Sequence, residues 1–151
     1  MMANFHVVLI EPEIPANTGA ITRLCAATGS SLHLVGRLGF RLDDRRLKRA
    51  GLDYSPLVEV QTHVDWPSCQ EVLPAAPVYF FSARAERLYT EASYLPESIL
   101  VFGCETRGLP PSLLRQTERC WRIPILDERV RSLNLATSVG IALYEGLRQC
   151  T

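Results

Sequence analysis

Short apolar runs that end on glycine or polar residues set the frame for this chain. Phe5–Ile10 (FHVVLI), Leu32–Val35 (LHLV), Val78–Phe81 (VYFF) and Ile99–Phe102 (ILVF) are rich in Val, Ile and Phe and bounded by turn residues. That pattern predicts buried strands. Leu57–Val60 reads as a short strand and Trp121–Ile125 as a last one. Stretches with helical spacing lie between them. Ile21, Leu24, Cys25 and Thr28 share one face after a start that Asn17 or Thr18 can cap, and Gly29 supplies a stop. Part of Arg37–Arg49, then Val64–Leu73 and Pro111–Gln116, read as further short helices. Asn134 can cap a closing helix whose Leu135, Val139, Leu143 and Leu147 form an apolar stripe. Strands alternating with helices predict an α/β fold, a parallel sheet with helices on both faces.

At 151 residues the chain fits one domain, 1–151, with one substantial core. No apolar run approaches the roughly 18 residues of a membrane span, so no membrane partner is expected. The first residues, Met1 to Phe5, lack a basic segment followed by a long apolar one, which leads us to expect a cytoplasmic protein. Cys25, Cys69, Cys104, Cys120 and Cys150 are scattered without a C-x-x-C pair. His6, His33 and His63 fall in no metal-ligand spacing, so neither a disulfide framework nor a metal site is expected. The formal net charge is zero. There is therefore no global polycation, and any nucleic-acid contact has to rest on a local patch.

Three polar or Gly-bearing segments follow strands: Glu11–Gly19, Gly103–Pro110 and Leu126–Asn134. In a parallel sheet the ligand sits beyond the carboxyl ends of the strands, so these segments should meet on one rim. In the first, Gly19 and Arg23 lie four apart on one helix face. The glycine would leave room for a substrate, and the arginine could hold a phosphate or polarise an oxygen. In the second, Gly103 directly after a strand would let a ligand approach the backbone. Glu105 could anchor the first segment's polar groups or a ligand hydroxyl. In the third, Ser132 and Asn134 stand before a helix, where they could bind an anion or orient a hydroxyl, or serve the helix alone. There is neither a G-x-x-x-x-G-K-[ST] phosphate loop nor a G-x-G-x-x-G fingerprint, which disfavours a nucleotide hydrolase or a dehydrogenase.

Taken in order, the segments resemble the three motifs of the SPOUT RNA methyltransferases. The strings are N-x-G-x-x-x-R (Asn17 to Arg23), F-G-x-E-x-x-G-L-P (Phe102 to Pro110), and I-P-I followed by S-L-N-L (Ile123 to Leu135). E-P-E-I-P-A-N-T-G (Glu11 to Gly19), R-A-G-L-D-Y (Arg49 to Tyr54) and E-T-R-G-L-P (Glu105 to Pro110) narrow the resemblance to a minimal branch. That branch methylates the 2′-hydroxyl of cytidine or uridine 34 in tRNA.

The resemblance implies a deep C-terminal trefoil knot, a rare exception to unknotted chains. It also implies a homodimer whose sites use parts of both subunits. S-adenosylmethionine would be held by Phe81, Gly103, Ile123 and Ser132 and leave as S-adenosylhomocysteine, with no metal. Arg23 would be the catalytic arginine, supported by Asn17, Glu105, Ser132 and Asn134. Tyr144 matches a tyrosine implicated in tRNA handling. The partner would be the tRNA anticodon stem-loop. The basic stretch Arg37–Arg49, with Arg45, Arg46 and Arg49, is the best candidate for a phosphate track beside Arg23. The motifs leave open another tRNA position, ribosomal RNA, or an RNA-binding protein without activity.

Overall fold

The computed structural model describes residues 4–51 and 56–151. Its strands are β1 (His6–Ile10), β2 (Ser31–Val35), β3 (Val60–His63), β4 (Val78–Phe81), β5 (Arg87–Leu88), β6 (Ile99–Phe102) and β7 (Cys120–Arg122). Its α-helices are α1 (Pro15–Thr28), α2 (Arg45–Gly51), α3 (Trp66–Val72), α4 (Pro111–Leu114) and α5 (Leu135–Cys150). The strands form one sheet in the order β3-β2-β1-β6-β4-β7-β5, and every pairing is parallel.

Alternation along the strands divides the core into two layers. Val7, Leu9, Leu32, Leu34, Phe81, Leu100 and Phe102 face α1 and α5, packing with Ile21, Cys25, Val139, Ala142 and Leu143. Val8, Ile10, Phe80, Ile99 and Val101 face the opposite way, with Cys69 of α3 and Leu113 of α4. The expected parallel sheet with helices on both faces is what the chain adopts. No helix among the described residues is long and apolar enough to cross a membrane.

The element boundaries differ from the sequence reading in physical detail. Helix α1 starts at Pro15 with Ile14 as its N-cap, so neither Asn17 nor Thr18 caps it. Proline at the first position brings the preset φ of a helix start, and that outweighs the downstream capping signals. Gly29 does end α1, at φ 66°. Strand β3 begins at Val60, where the Leu57–Val60 reading ended. Strand β7 stops at Arg122, two residues before Pro124, which has no N–H for a ladder. The two-residue β5 carries no periodicity to read. Of the R-A-G-L-D-Y string, Leu52 to Tyr54 lie outside the described residues.

A polar thread runs through the second layer at the β1–β2–β3 end of the sheet. His6 Nδ1 meets Ser31 Oγ at 2.6 Å, and Ser31 Oγ meets His33 Nε2 at 3.0 Å. His33 Nδ1 then meets His63 Nε2 at 3.0 Å. Burial first, then the neighbouring His63 and His6, push the His33 pKa down to about 4, with Glu59 opposing. His6 is also lowered, mainly by burial. An unfolded histidine takes its proton near pH 6.5, so between that value and about 4 the unfolded chain binds more protons than the native one. Stability is therefore complete above about pH 6.5 and falls as pH drops toward 4. Urea melts should show a loss on the order of 2 kcal/mol between pH 7 and pH 4.5. The slope should flatten in His33→Asn.

Candidate active site

Strands β1 and β6 are parallel neighbours, so the loops leaving their carboxyl ends run side by side. Glu105 joins them. One carboxylate oxygen accepts the Glu13 N–H at 2.8 Å. The other accepts the Ile14 N–H at 2.9 Å and the Asn17 side-chain amide at 3.1 Å. The acid thus satisfies backbone groups at the start of α1 that no local cap satisfies, and sets a negative charge at the helix's positive end. Asn17 passes the connection on, because its Oδ1 accepts from Asn134 Nδ2 at 3.0 Å. Asn134 caps α5 by accepting the Thr137 N–H at 3.1 Å. One chain of hydrogen bonds therefore ties together all three segments.

A second clasp runs the other way. Glu13 Oε1 accepts from the Thr106 N–H at 2.9 Å and the Thr106 hydroxyl at 2.7 Å. These bonds, the hydroxyl first, hold the Glu13 carboxyl below the usual carboxylate range. Glu11, at a left-handed φ of 50°, accepts the Arg37 N–H and lies 3.7 Å from the Arg107 guanidinium. Sequence reasoning did not single out Glu13 or Thr106. Both lie inside quoted strings, Glu13 in E-P-E-I-P-A-N-T-G and Thr106 in E-T-R-G-L-P, but no role was assigned to either.

Two glycines are fixed by close packing of the chain itself. A Cβ on Gly103 would lie 2.0 Å from the Gly108 carbonyl carbon and 2.2 Å from Leu109 N. The loop folds back on itself there, through Cys104–Gly108 backbone bonds, with Gly108 at φ 71°. Gly103 is thus required by the loop's own closure. A Cβ on Gly19 would lie 2.5 Å from that of Ala50 and 2.7 Å from the Leu47 carbonyl. The space expected for a substrate is filled by α2.

The closed loop forms one wall of a pocket of about 350 Å³ at the strand ends. Phe81, Gly103, Ile123 and Ser132, the four residues expected to hold the methyl donor, all line it. Phe81 and Phe102 stack with ring centroids 4.7 Å apart and planes 9° from parallel, a rigid apolar floor. Arg84, Arg107 and Arg131 also line the pocket, and the sequence had not marked them for it. The size lies within the range of small-ligand pockets. Apolar walls, the Glu105 carboxylate and loop backbone give it the mixed character an adenosyl-amino acid needs.

The residues expected for RNA lie elsewhere. Arg23 is exposed on α1 and does not line the pocket. Helix α2 packs on α1 and displays Arg45 and Arg49 to solvent. Arg46 is folded onto Asp44, its guanidinium at 3.2 Å, so its charge is partly neutralised. Tyr144 is exposed on α5. Ser132 is exposed at the pocket rim, and Asn134 is exposed beside it.

Residues 4–144 match the SpoU rRNA Methylase family. The chain belongs to that family. It is 43% identical over 147 residues to the tRNA (cytidine(34)-2'-O)-methyltransferase of Methylovorus glucosotrophus, covering 96% of this chain and 95% of the relative. The enzyme of the same name from Saccharophagus degradans is 44% identical over 147 residues, with the same coverage. A solved structure described as giving insights into 2-OH methylation of C/U34 on tRNA superposes with a TM-score of 0.91. It is 46% identical and covers 96% of this chain and 95% of that one. Family membership implies the knotted C-terminal segment expected from the motifs. The sheet order fits it, with β7 inserted between β4 and β5 and α5 returning beside α1.

The clasp makes a stability prediction. Glu105→Gln replaces an acceptor-only carboxylate with an amide whose NH₂ faces N–H donors. It should cost about 1–3 kcal/mol in urea melts. Gly103→Ala, which drives a methyl into backbone, should cost at least about 2 kcal/mol and abolish donor binding in calorimetry.

Proposed function

We propose that this protein transfers a methyl group from S-adenosylmethionine to the ribose 2′-hydroxyl of nucleotide 34, cytidine or uridine, in the anticodon stem-loop of tRNA. The observation that carries the reading is that the Glu105–Asn17–Asn134 hydrogen bonds join the three motif segments while the second and third of them line one pocket. Phe81, Gly103, Ile123 and Ser132 would hold the donor. Once bound, the donor supplies an already electrophilic methyl group.

The difficulty lies with the acceptor, a hydroxyl that attacks poorly until its proton leaves. In this reading Arg23 sits beside the target phosphate and stabilises the developing alkoxide, with the phosphate or a neutral guanidine accepting the proton. Ser132 and Asn134 orient the ribose, and Asn17 and Glu105 keep Asn134 in place. Holding oxygen and methyl in line supplies much of the remaining acceleration.

The reading includes a homodimer in the cytoplasm, in which Arg23 of one subunit serves the pocket of its partner. Its support is the position of Arg23, exposed on α1 and outside its own chain's pocket lining. Leu126, 95% exposed, and Val130 stand on the loop that follows β7, apolar surface for a second subunit to cover. Arg45 and Arg49 of α2 extend the basic surface from Arg23, and Tyr144 offers a ring for an unstacked base.

Labelled methyl transfer to tRNA lacking its wobble methylation, mapped by mass spectrometry, tests the reading. Arg23→Ala should lower turnover by at least about 10²-fold while calorimetric donor affinity stays within about twofold. A large loss of donor affinity would remove Arg23 from the assigned role. Arg45→Glu with Arg49→Glu should raise KM for tRNA and shallow the dependence of log KM on log salt by about two charges, with kcat held.

A further inference from the structure

We propose that His33, His63 and Cys69 form a binding site for a borderline transition-metal ion, with Zn²⁺ as its occupant. The three residues come from β2, β3 and α3, and their ligand atoms all lie within 4.8 Å of one another. None of them lines the donor pocket, which opens at the ends of β4 and β6. The site is therefore separate from the methyl-transfer chemistry.

The ligand set suits the ion. Two imidazoles and one thiolate combine nitrogen and soft sulfur donors, the mixture that zinc accepts in tetrahedral sites. With metal–nitrogen bonds of about 2.0–2.1 Å, two nitrogens on one tetrahedral ion lie about 3.3 Å apart. His33 Nδ1 and His63 Nε2 are 3.0 Å apart, within a few tenths of an ångström of that separation, and the Cys69 sulfur, in a group spanning 4.8 Å, would move in to complete the set. The rings are stacked, with planes 21° from parallel, and Cys69 closes the group from the helix above. Asp65 fixes where that helix starts by accepting the Ser68 N–H, and so fixes where Cys69 points back to the sheet.

An outer set of partners orients the first ligand. Ser31 Oγ lies 3.0 Å from His33 Nε2 and 2.6 Å from His6 Nδ1. A metal-binding histidine usually donates its other ring N–H to such a partner, which fixes the tautomer. Here His33 Nε2–H donates to Ser31, whose hydroxyl donates to His6 Nδ1. His6 Nε2–H is left 3.7 Å from the Glu97 carboxylate. With the ion bound, both facing nitrogens, His33 Nδ1 and His63 Nε2, would present lone pairs to it.

The proton count closes. In the metal-free protein one proton lies between His33 Nδ1 and His63 Nε2, and Cys69 carries its own. Because His33 carries its proton at Nε2, the shared proton is held by His63 Nε2, and on binding it moves to His63 Nδ1. The Cys69 S–H bond breaks and one proton leaves to solvent as the metal–sulfur bond forms. Burial, which keeps the thiol protonated in the empty site, gives way to the charge of the ion. Partly exposed His63 supplies the route in. The ion would staple the edge strand β3 and the short helix α3 to β2.

The test uses the full chain, stripped with chelator, loaded with Zn²⁺, desalted and analysed for metal content. One equivalent per chain is expected, with Tm raised by about 5 °C at a hundredfold excess over Kd. Co²⁺ in place of Zn²⁺ should give a thiolate charge-transfer band. His63→Ala and Cys69→Ala should each lose the retained equivalent and the band, while Cys150→Ala keeps both. S-adenosylmethionine binding reports that each variant is folded. No retained metal, or retention that survives both His63→Ala and Cys69→Ala, overturns the proposal.

Discussion

The rim of this molecule depends on a single carboxylate. Glu105 leaves β6, crosses to the neighbouring loop and accepts from two backbone N–H groups and from Asn17. The start of α1 has proline at its first position and no side-chain cap of its own. Without an outside acceptor its backbone groups and the positive end of its dipole would face unfilled space. Supplying the acceptor from another strand's loop makes the placement of α1 conditional on the placement of the second motif. Asn17 and Asn134 extend the same condition to α5. Three loops far apart in sequence thus share one arrangement, which the pocket requires if its walls are to stay in register.

The glycines work in the same direction. Gly103 permits a contact between backbone segments that no side chain allows, and the loop's tight closure frees the space in front of it as a pocket. Gly19 permits α2 to lie directly on α1, which brings a short helix with exposed Arg45 and Arg49 onto the element that carries Arg23. Each glycine trades side-chain contact for close approach, and in each case the approach places charge or backbone near chemistry.

The sheet was legible in the sequence because its central strands are buried on both faces and read as continuous apolar runs. FHVVLI, LHLV, VYFF and ILVF became β1, β2, β4 and β6 within a residue or so. The edges were less legible. β3 and β5 are half-buried or exposed, and their residues carry no hydrophobic pattern that pairing requires. At the rim, the alternation of strands and helices predicted which segments would meet, and the four residues that the family resemblance implied, Phe81, Gly103, Ile123 and Ser132, do line one pocket. It did not predict the partners. Asn17 looked like a cap because the pattern of a cap is local, whereas its two hydrogen bonds span 88 and 117 residues. The cluster of His33, His63 and Cys69 was missed for the same reason. Metal-ligand spacing is a rule about neighbours in sequence, and these ligands are neighbours only across strands.

The two faces of the sheet end up with different duties. The layer under α1 and α5 carries the clasp, the pocket floor of Phe81 and Phe102, and the helix that presents Arg23. Its polar groups cluster at the strand ends, where solvent and ligands reach them. The layer under α3 and α4 carries the histidine thread, part-buried and centred on the buried His33. A buried polar chain is tolerable only when each member has a partner. Ser31 can donate one proton only, so the thread has a limited number of consistent proton arrangements. That constraint orders the edge of the sheet farthest from the pocket, and β3 would otherwise hold its place through a single parallel neighbour. The reacting end can therefore be built from exposed loops, because the β3 edge of the scaffold is held by interactions that do not depend on them.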